Sequence, residues 1–137
     1  MVRPEVLRKR LQKLGDYLSI LEHSRSYSVE EFVADPEKYG SAERFLQLAI
    51  ESIDDMAGHI IADGNLGMVN RAADIPRLLH DHGFIDEELT SRWIRMIGFR
   101  NILVHDYLEV DRKIVHDVLQ NSLEDLRALQ RVFADFL

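Results

Sequence analysis

Apolar residues recur at helical spacing over most of the chain, and this pattern constrains the fold more than any other feature. Near the N-terminus the leucines alternate in steps of four and three, at Leu7, Leu11, Leu14, Leu18 and Leu21. Such a heptad seam is typical of a helix that packs lengthwise against other helices. A second stripe of the same period runs between residues 45 and 61. Since no segment shows strand-like alternation, the sequence predicts an all-α fold.

Capping residues and prolines divide this pattern into about four long helices and one or two short ones. Long helices are predicted over about residues 3–22 and 41–63, from residue 86 to near residue 107, and from residue 112 onward. Ser28 opens a short helix that ends at Asp35-Pro36, Ser41 caps the second long helix, and Asp74 caps another short one. Asp111 caps the last helix. We expect an up-and-down bundle that forms a single domain over residues 1–137.

Composition narrows the class of protein. The chain has 137 residues, no cysteine and a net charge of -7, which argues against general nucleic-acid binding. However, residues 91–113 carry five basic and three acidic side chains, so this segment is +2 and the remainder is -9. A locally basic site on an acidic body suits a phosphate or a partner protein. With no apolar run of membrane-spanning length and no signal-peptide pattern, we expect a cytoplasmic protein with no membrane association.

The locally basic segment contains an unusual string, Arg100-Asn101-Ile102-Leu103-Val104-His105-Asp106-Tyr107. Polar and ionisable side chains surround an apolar triplet near the end of a predicted helix. On an ideal helix Asn101 and His105 share a face, whereas Arg100 and His105 lie about 140° apart. For Arg100 and His105 to reach one ligand, the helix must end or tighten near His105, or two copies of the chain must meet.

These residue types suit RNA cleavage. When a ribose 2′-hydroxyl attacks the adjacent phosphate, one proton must be removed and another supplied, and a histidine can perform either step. The arginine guanidinium stabilises the negative charge that develops on the phosphate. Asn101 could orient either group, and no metal is required. Because one motif contains one histidine, a symmetric dimer would supply both acid and base. The alternative is structural: Arg100 pairs with an acid, His105 caps the helix, and Tyr107 is an aromatic at the edge of the core.

The other histidines do not predict a metal site. His59 lies beside an apolar stripe, and a structural role is favoured over a role in lining the site. The rings of His80 and His82 point about 200° apart on one helix, and no companion ligand stands at a recognisable spacing. We therefore predict no metal and no cofactor.

The segment from Phe99 to Tyr107 resembles the R-x4-6-H signature of the HEPN superfamily, and more narrowly the R-x4-H-x-Y form of the HepT-like toxins. The similarity extends to residues 45–61, which include Ala49-Ile50-Glu51-Ser52-Ile53-Asp54 and end in His59-Ile60-Ile61. It also includes Gly83-Phe84-Ile85 and Met96 ahead of Phe99-Arg100-Asn101. The resemblance thus covers nearly the whole chain.

This resemblance implies a HEPN-type helical bundle that dimerises, with both motifs lining a cleft at the interface. It implies a metal-independent RNA endonuclease that is the toxin of a type VII-like toxin–antitoxin pair. Arg100 and His105 would be catalytic and Asn101 supportive. Tyr107 matches a tyrosine to which an MNT-type nucleotidyltransferase antitoxin attaches AMP. The partners would be RNA and this antitoxin, with a homodimer or a larger hetero-oligomer as the assembly. The alternative is a non-catalytic HEPN module that binds a nucleotidyltransferase or a nucleotide.

Overall fold

Six α-helices and one 3₁₀ turn build the molecule. The computed structural model describes residues 3–137 and every side chain among them except that of Tyr107. The elements are α1 (Pro4–Ser24), α2 (Val29–Ala34), α3 (Pro36–Gly64), α4 (Asp74–Asp81), α5 (Glu87–His105), the 3₁₀ turn (Tyr107–Glu109) and α6 (Arg112–Ala134). Residues 3–137 contain no strand, so the predicted all-α bundle of four long and two short helices is confirmed. Over this range, no helix combines the length and apolar character that a membrane crossing requires.

The frame of the bundle is the mutual packing of α1, α3 and α6. Four leucines of the α1 seam are at most 2% exposed within a single chain, namely Leu7, Leu14, Leu18 and Leu21. Leu11 is partly buried and packs against this core. The heptad seam therefore serves the intramolecular bundle. Burying each such side chain contributes roughly 1.5–3 kcal/mol to folding.

Helix α5 packs on α3 and α6 through one apolar face. Trp93 is 0% exposed, and its ring meets Phe133 of α6 edge-to-face at 6.1 Å between centroids. Met96, Ile97 and Leu103 continue this buried face toward the end of the helix. The final turns of α5 contain residues 100–105 of the polar string, which runs from Arg100 to Tyr107. These turns are thus held against the bundle from one side.

Most of the predicted helix starts are confirmed. Ser28 forms a capping box with Glu31: its hydroxyl accepts the Glu31 amide, and Glu31 accepts the Ser28 amide. Asp111 caps α6 by accepting the amide of Lys113 at 2.9 Å. Gly83, with φ of +80°, follows the end of α4 in a conformation that favours glycine.

Two of the predicted caps are wrong. Helix α3 begins at Pro36, five residues before Ser41, because Asp35 accepts the amide of Glu37 at 2.9 Å and Pro36 is preset for a first turn. Ser41 therefore lies inside the helix. Asp74 is the first residue of α4, not its cap, and its carboxylate accepts the amides of residues 70 and 71 in the preceding loop.

The seam yields a stability prediction. Leu18→Ala should lower the free energy of unfolding by about 2–5 kcal/mol, since it removes a side chain that is fully buried between helices. Ile20→Ala, on the same helix but 37% exposed, is the control and should change it much less. Urea unfolding followed by circular dichroism measures both. Equal losses for the two variants would contradict the seam as part of this core.

Candidate active site

The polar string lies at the C-terminal end of α5. Asp86 caps the start of the helix, and the last helical residue is His105, two residues before the predicted end near residue 107. Asp106 leaves the helix with φ of -126° and ψ of 33°, and its amide still donates to Ile102. The 3₁₀ turn from Tyr107 then leads into α6. Arg100 and His105 therefore occupy the last two turns of a helix that stops at the histidine.

Arg100 is bound to a carboxylate of the neighbouring helix. Its Nε and Nη2 both donate to Oε1 of Glu51 on α3, at 3.2 and 2.7 Å, and its Nη1 donates to Asn101 Oδ1 at 3.1 Å. Both members of the Arg100–Glu51 pair are half-buried, with side chains 28% and 33% exposed. The structural alternative is thus partly correct, because Arg100 does pair with an acid.

This pairing leaves the guanidinium able to bind an anion. The group carries five N–H donors, of which Glu51 and Asn101 take three. Glu51 occupies the Nε side of the fork, so one donor on each terminal nitrogen has no partner in the part of the chain that the structure describes. Charge-assisted hydrogen bonds from arginine N–H groups are among the contacts with which proteins bind phosphate. Glu51 therefore fixes the orientation of the arginine without consuming its phosphate-binding capacity.

Glu51 remains ionised in this setting. Burial acts to raise the pKa of Glu51, but hydrogen bonds from Arg100 and Gln47 and the charges of Arg100 and Arg44 outweigh it and lower the pKa below the ordinary value. The Gln47 amide donates to Oε1 at 3.1 Å, which makes this oxygen the acceptor of three bonds. An ionised, multiply bonded carboxylate is a firm anchor for the cation.

Asp54, one turn along α3, behaves in the opposite way. Its carboxylate accepts the indole N–H of Trp93 at 2.8 Å. Burial raises the pKa of Asp54 to about 6, although the Trp93 hydrogen bond and the positive charge of Arg100 act against the increase and Glu51 adds to it. Asp54 thus ties the crossing of α3 and α5 immediately behind the arginine.

Sequence reasoning missed Glu51 and Asp54 as members of the site. In the sequence they stand out only as members of the segment 49–54 that is similar to the HepT-like toxins. Their spacing of three puts both on one helical face, which was the available signal. The pattern does not say which helix covers that face, and only the tertiary packing brings Arg100 and Trp93 against it.

The remaining predicted residues lie at the same end of α5. Asn101 and His105 are both exposed, and the Asn101 side chain contacts Arg100. No hydrogen bond joins Arg100 to His105 in the described part of the chain. The side chain of Tyr107, which the alternative placed at the edge of the core, lies outside the described residues.

His59, His80 and His82 contact residues close to them in the sequence. His59 is exposed, and its Nε2 lies 3.7 Å from Oδ1 of Asp55. His80 contacts Asp81 and Glu87, and His82 Nδ1 lies 3.0 Å from the Leu78 carbonyl oxygen. Across residues 3–137, omitting the Tyr107 side chain, no group of three or more histidines and carboxylates is placed to hold a metal ion.

Exposed apolar side chains surround the polar string. Ile102 is 48% exposed, Leu108 78% and Ile114 55%. They lie on the last turn of α5, on the 3₁₀ turn and on the first turn of α6, the elements that contain the motif and directly follow it. A monomer gains nothing from exposing three large apolar residues together, and such surfaces mark contacts with other molecules.

Solved structures with this fold include toxin–antitoxin complexes. The tri-AMPylated HEPN toxin of Shewanella oneidensis, in complex with MNT antitoxin, matches with a TM-score of 0.88 and 26% identity over 97% of this chain and 99% of that chain. A cytosolic protein of unknown function from Bacillus subtilis matches with a TM-score of 0.85 at 18% identity, which shows the fold alone.

Sequence comparison gives the family. The family described as Ribonuclease HepT-like matches residues 9–132, so the chain belongs to the HepT-like family of HEPN proteins. An mRNA nuclease HepT of Shewanella oneidensis is 39% identical over 80 residues, 58% of this chain and 60% of that protein. A tRNA nuclease HepT of Aphanizomenon flos-aquae is 24% identical over 136 residues, 99% of this chain and 92% of that protein.

The raised pKa of Asp54 predicts a pH-dependent stability. The folded protein binds the Asp54 proton more tightly than the unfolded chain, so ionisation of Asp54 lowers the free energy of unfolding as pH rises from about 4 to about 6. Asn in its place keeps an acceptor for Trp93 and carries no charge. Relative to the wild type, Asp54→Asn should therefore gain up to about 3 kcal/mol across this window.

Urea unfolding at a series of pH values measures the difference. Asp63→Asn, at an exposed position of the same helix, is the matched control for loss of one carboxylate. A difference in unfolding free energy between Asp54→Asn and the wild type that stays constant from pH 4 to pH 7 would contradict the raised pKa of the partly buried Asp54.

Proposed function

We propose that this chain is an RNA endonuclease that acts without a metal ion, with Arg100 and His105 as its catalytic residues. The observation that carries the proposal is the Arg100 guanidinium, held by Glu51 with two donors still available, at the end of a helix that terminates on His105. The nuclease names of relatives in the same family support the reaction class.

The proposed reaction is an internal transfer of the phosphoester. The ribose 2′-oxygen attacks the adjacent phosphorus and loses its proton to a base, the bond from phosphorus to the 5′-oxygen breaks, and the leaving 5′-oxygen receives a proton. The products are a 2′,3′-cyclic phosphate and a 5′-hydroxyl. Arg100 binds the phosphate oxygens that gain negative charge, and a histidine can perform either proton transfer.

Two proton transfers call for two groups, and a homodimer supplies them. Each chain contributes one His105, so a symmetric pair brings a base and an acid to one cleft. The apolar surface formed by Ile102, Leu108 and Ile114 supports this arrangement, because it surrounds the motif. Asn101 supports catalysis by accepting a hydrogen bond from Arg100.

We further propose that the nuclease is a toxin of the type VII-like class and that a nucleotidyltransferase antitoxin silences it. The Tyr107 hydroxyl oxygen would attack the α-phosphorus of ATP, which forms the tyrosine–AMP bond, releases pyrophosphate and gives up the phenol proton. AMP at Tyr107 places bulk and negative charge two residues from His105, where the RNA phosphate must bind. The tri-AMPylated toxin with this fold supports the proposal.

A second function has its own supporting observation. Arg100 is already paired with Glu51, as in a purely structural arginine, and the exposed apolar surface suits a protein partner. The chain would then be a non-catalytic module that binds a nucleotidyltransferase or a nucleotide. Cleavage of RNA in the presence of EDTA distinguishes the two functions.

Substitution of the proposed catalytic residues tests the nuclease. Arg100→Ala and His105→Ala should each lower RNA cleavage by at least about a hundredfold, since they remove charge stabilisation and proton transfer. Gel assays on total RNA with EDTA measure the rates. Arg95→Ala and His82→Ala, exposed positions outside the string, are matched controls and should cleave like the wild type. Full cleavage by either catalytic variant would contradict the assignment.

The silencing proposal has a separate test. Co-expression with a cognate nucleotidyltransferase should add one or more AMP masses to the peptide that contains Tyr107, and Tyr107→Phe should abolish this addition. Intact and peptide mass spectrometry detect it. An unchanged mass under co-expression would remove the silencing mechanism and leave the nuclease proposal standing.

A further inference from the structure

A groove of about 770 Å³ runs between α1 and α3 beside the candidate active site. Its walls include Glu5, Lys9, Arg10, Lys13 and Tyr17 from α1 and Glu51 and Asp55 from α3. Glu51 is also the carboxylate that binds Arg100. The α1–α3 groove and the candidate active site therefore share a residue, and a polymer bound at Arg100 has this groove as an adjoining path.

The cations of the groove are not all neutralised by its carboxylates. Asp55 pairs with Arg10, and Glu51 pairs with Arg100. Within the part of the chain that the structure describes, the lining residue Glu5 forms no ion pair, but neither do the exposed Lys9 and Lys13, which outnumber it. They lie one helical turn apart on α1, about 6 Å along its axis. Two such ammonium groups along one wall can bind successive anionic groups of an extended ligand.

An aromatic residue continues this line. Tyr17 is four residues beyond Lys13, so it lies on the same face of α1, one turn further along. Its ring packs against Phe45 at 5.9 Å between centroids, which fixes its position at low entropic cost, and it remains partly exposed in the groove. Cations that follow a phosphate backbone together with an aromatic ring for base stacking are the pairing with which proteins bind single-stranded nucleic acids.

We propose that the α1–α3 groove binds the single-stranded RNA that flanks the cleaved phosphate, with Lys9 and Lys13 on phosphates and Tyr17 stacked on a base. The proposal rests on the proposed function for the identity of its ligand. Lysine-rich surfaces favour RNA over a protein partner here, since lysine is depleted at protein–protein interfaces.

The other large opening near α5 is less suited to this role. It has a volume of about 360 Å³ between α5 and α6, and Arg92 and Arg95 lie on its wall. Glu88 and Asp125 already bind Arg92. Arg95 is therefore the one cation lining this opening without an ion pair in the described part of the chain, against two in the α1–α3 groove.

Binding of a short, unstructured oligoribonucleotide tests the proposal without depending on cleavage. All proteins carry His105→Ala, and fluorescence anisotropy gives the dissociation constant. Adding Lys9→Ala and Lys13→Ala together should weaken binding on the order of tenfold. The slope of log K against log salt concentration should become less steep by about 1.4, the value expected for two single-strand phosphate contacts. The control, Arg8→Ala with Arg77→Ala, removes the same charge from exposed positions outside the groove and should change affinity less than twofold.

A substitution at Tyr17 tests the stacking role. Tyr17→Leu keeps apolar packing against Phe45 and removes the aromatic face, so it should weaken binding by at least about fivefold with an unchanged salt slope. Thermal unfolding curves verify that each variant folds. Wild-type affinity in both groove variants, or an equal loss in the Arg8/Arg77 control, would overturn the proposal.

The outcomes separate this proposal from the nuclease. If the protein with His105 intact does not cleave RNA but the groove variants bind RNA more weakly, the nuclease proposal is wrong and the groove proposal is supported. If cleavage depends on Arg100 and His105 but the groove variants bind RNA normally, the groove proposal fails alone. A groove variant that loses dimerisation or antitoxin binding while keeping its RNA affinity would assign the groove to a protein partner and overturn the RNA proposal.

Discussion

One half-buried ion pair joins α3 to α5 at the candidate active site, and the site depends on it. Arg100 reaches across to Glu51, whose oxygen accepts bonds from both Arg100 and Gln47. Removing Glu51 would leave a partly desolvated guanidinium without its counter-charge, an arrangement that is strongly unfavourable. Because the pair uses only one side of the arginine, the same bonds that stabilise the crossing also present two donors to an anion. Structure and proposed chemistry therefore rest on the same contact.

Two carboxylates on successive turns of α3 have different roles because their surroundings differ. Glu51 meets an arginine and an amide, which lower its pKa. Asp54 is partly buried and bonded to Trp93, and its pKa is raised to about 6. Near neutral pH, Glu51 supplies a fixed negative charge next to the arginine. Asp54 gains a proton in mildly acidic conditions, and the charge behind the arginine is then reduced. The positive character of the site thus depends on a residue that does not contact the proposed substrate.

Much of the fold could be predicted from the sequence, because burial follows helical periodicity. The leucine seam, the α3 stripe and the capping residues Ser28 and Asp111 gave the helices and most of their starts. The start of α3 was predicted too late because serine is a favoured N-cap residue, whereas the helix in fact begins at the Asp35 cap and Pro36. The string from Arg100 to Tyr107 was recognisable from residue types and its resemblance. Glu51, Asp54 and the α1–α3 groove were not, because their roles come from contacts between residues 39 to 49 positions apart and from a surface shared by two helices.

The central claim is that Arg100 and His105 catalyse transfer of an RNA phosphoester to the neighbouring 2′-oxygen. The most direct measurement is to map the ends of cellular RNA cut by the purified wild-type protein and by His105→Ala, and to determine the chemistry of those ends. The account predicts 2′,3′-cyclic phosphate and 5′-hydroxyl ends at defined sites for the wild type and none of these cuts for His105→Ala. The same cuts made by His105→Ala, or ends that carry a 3′-hydroxyl and a 5′-phosphate, would contradict it.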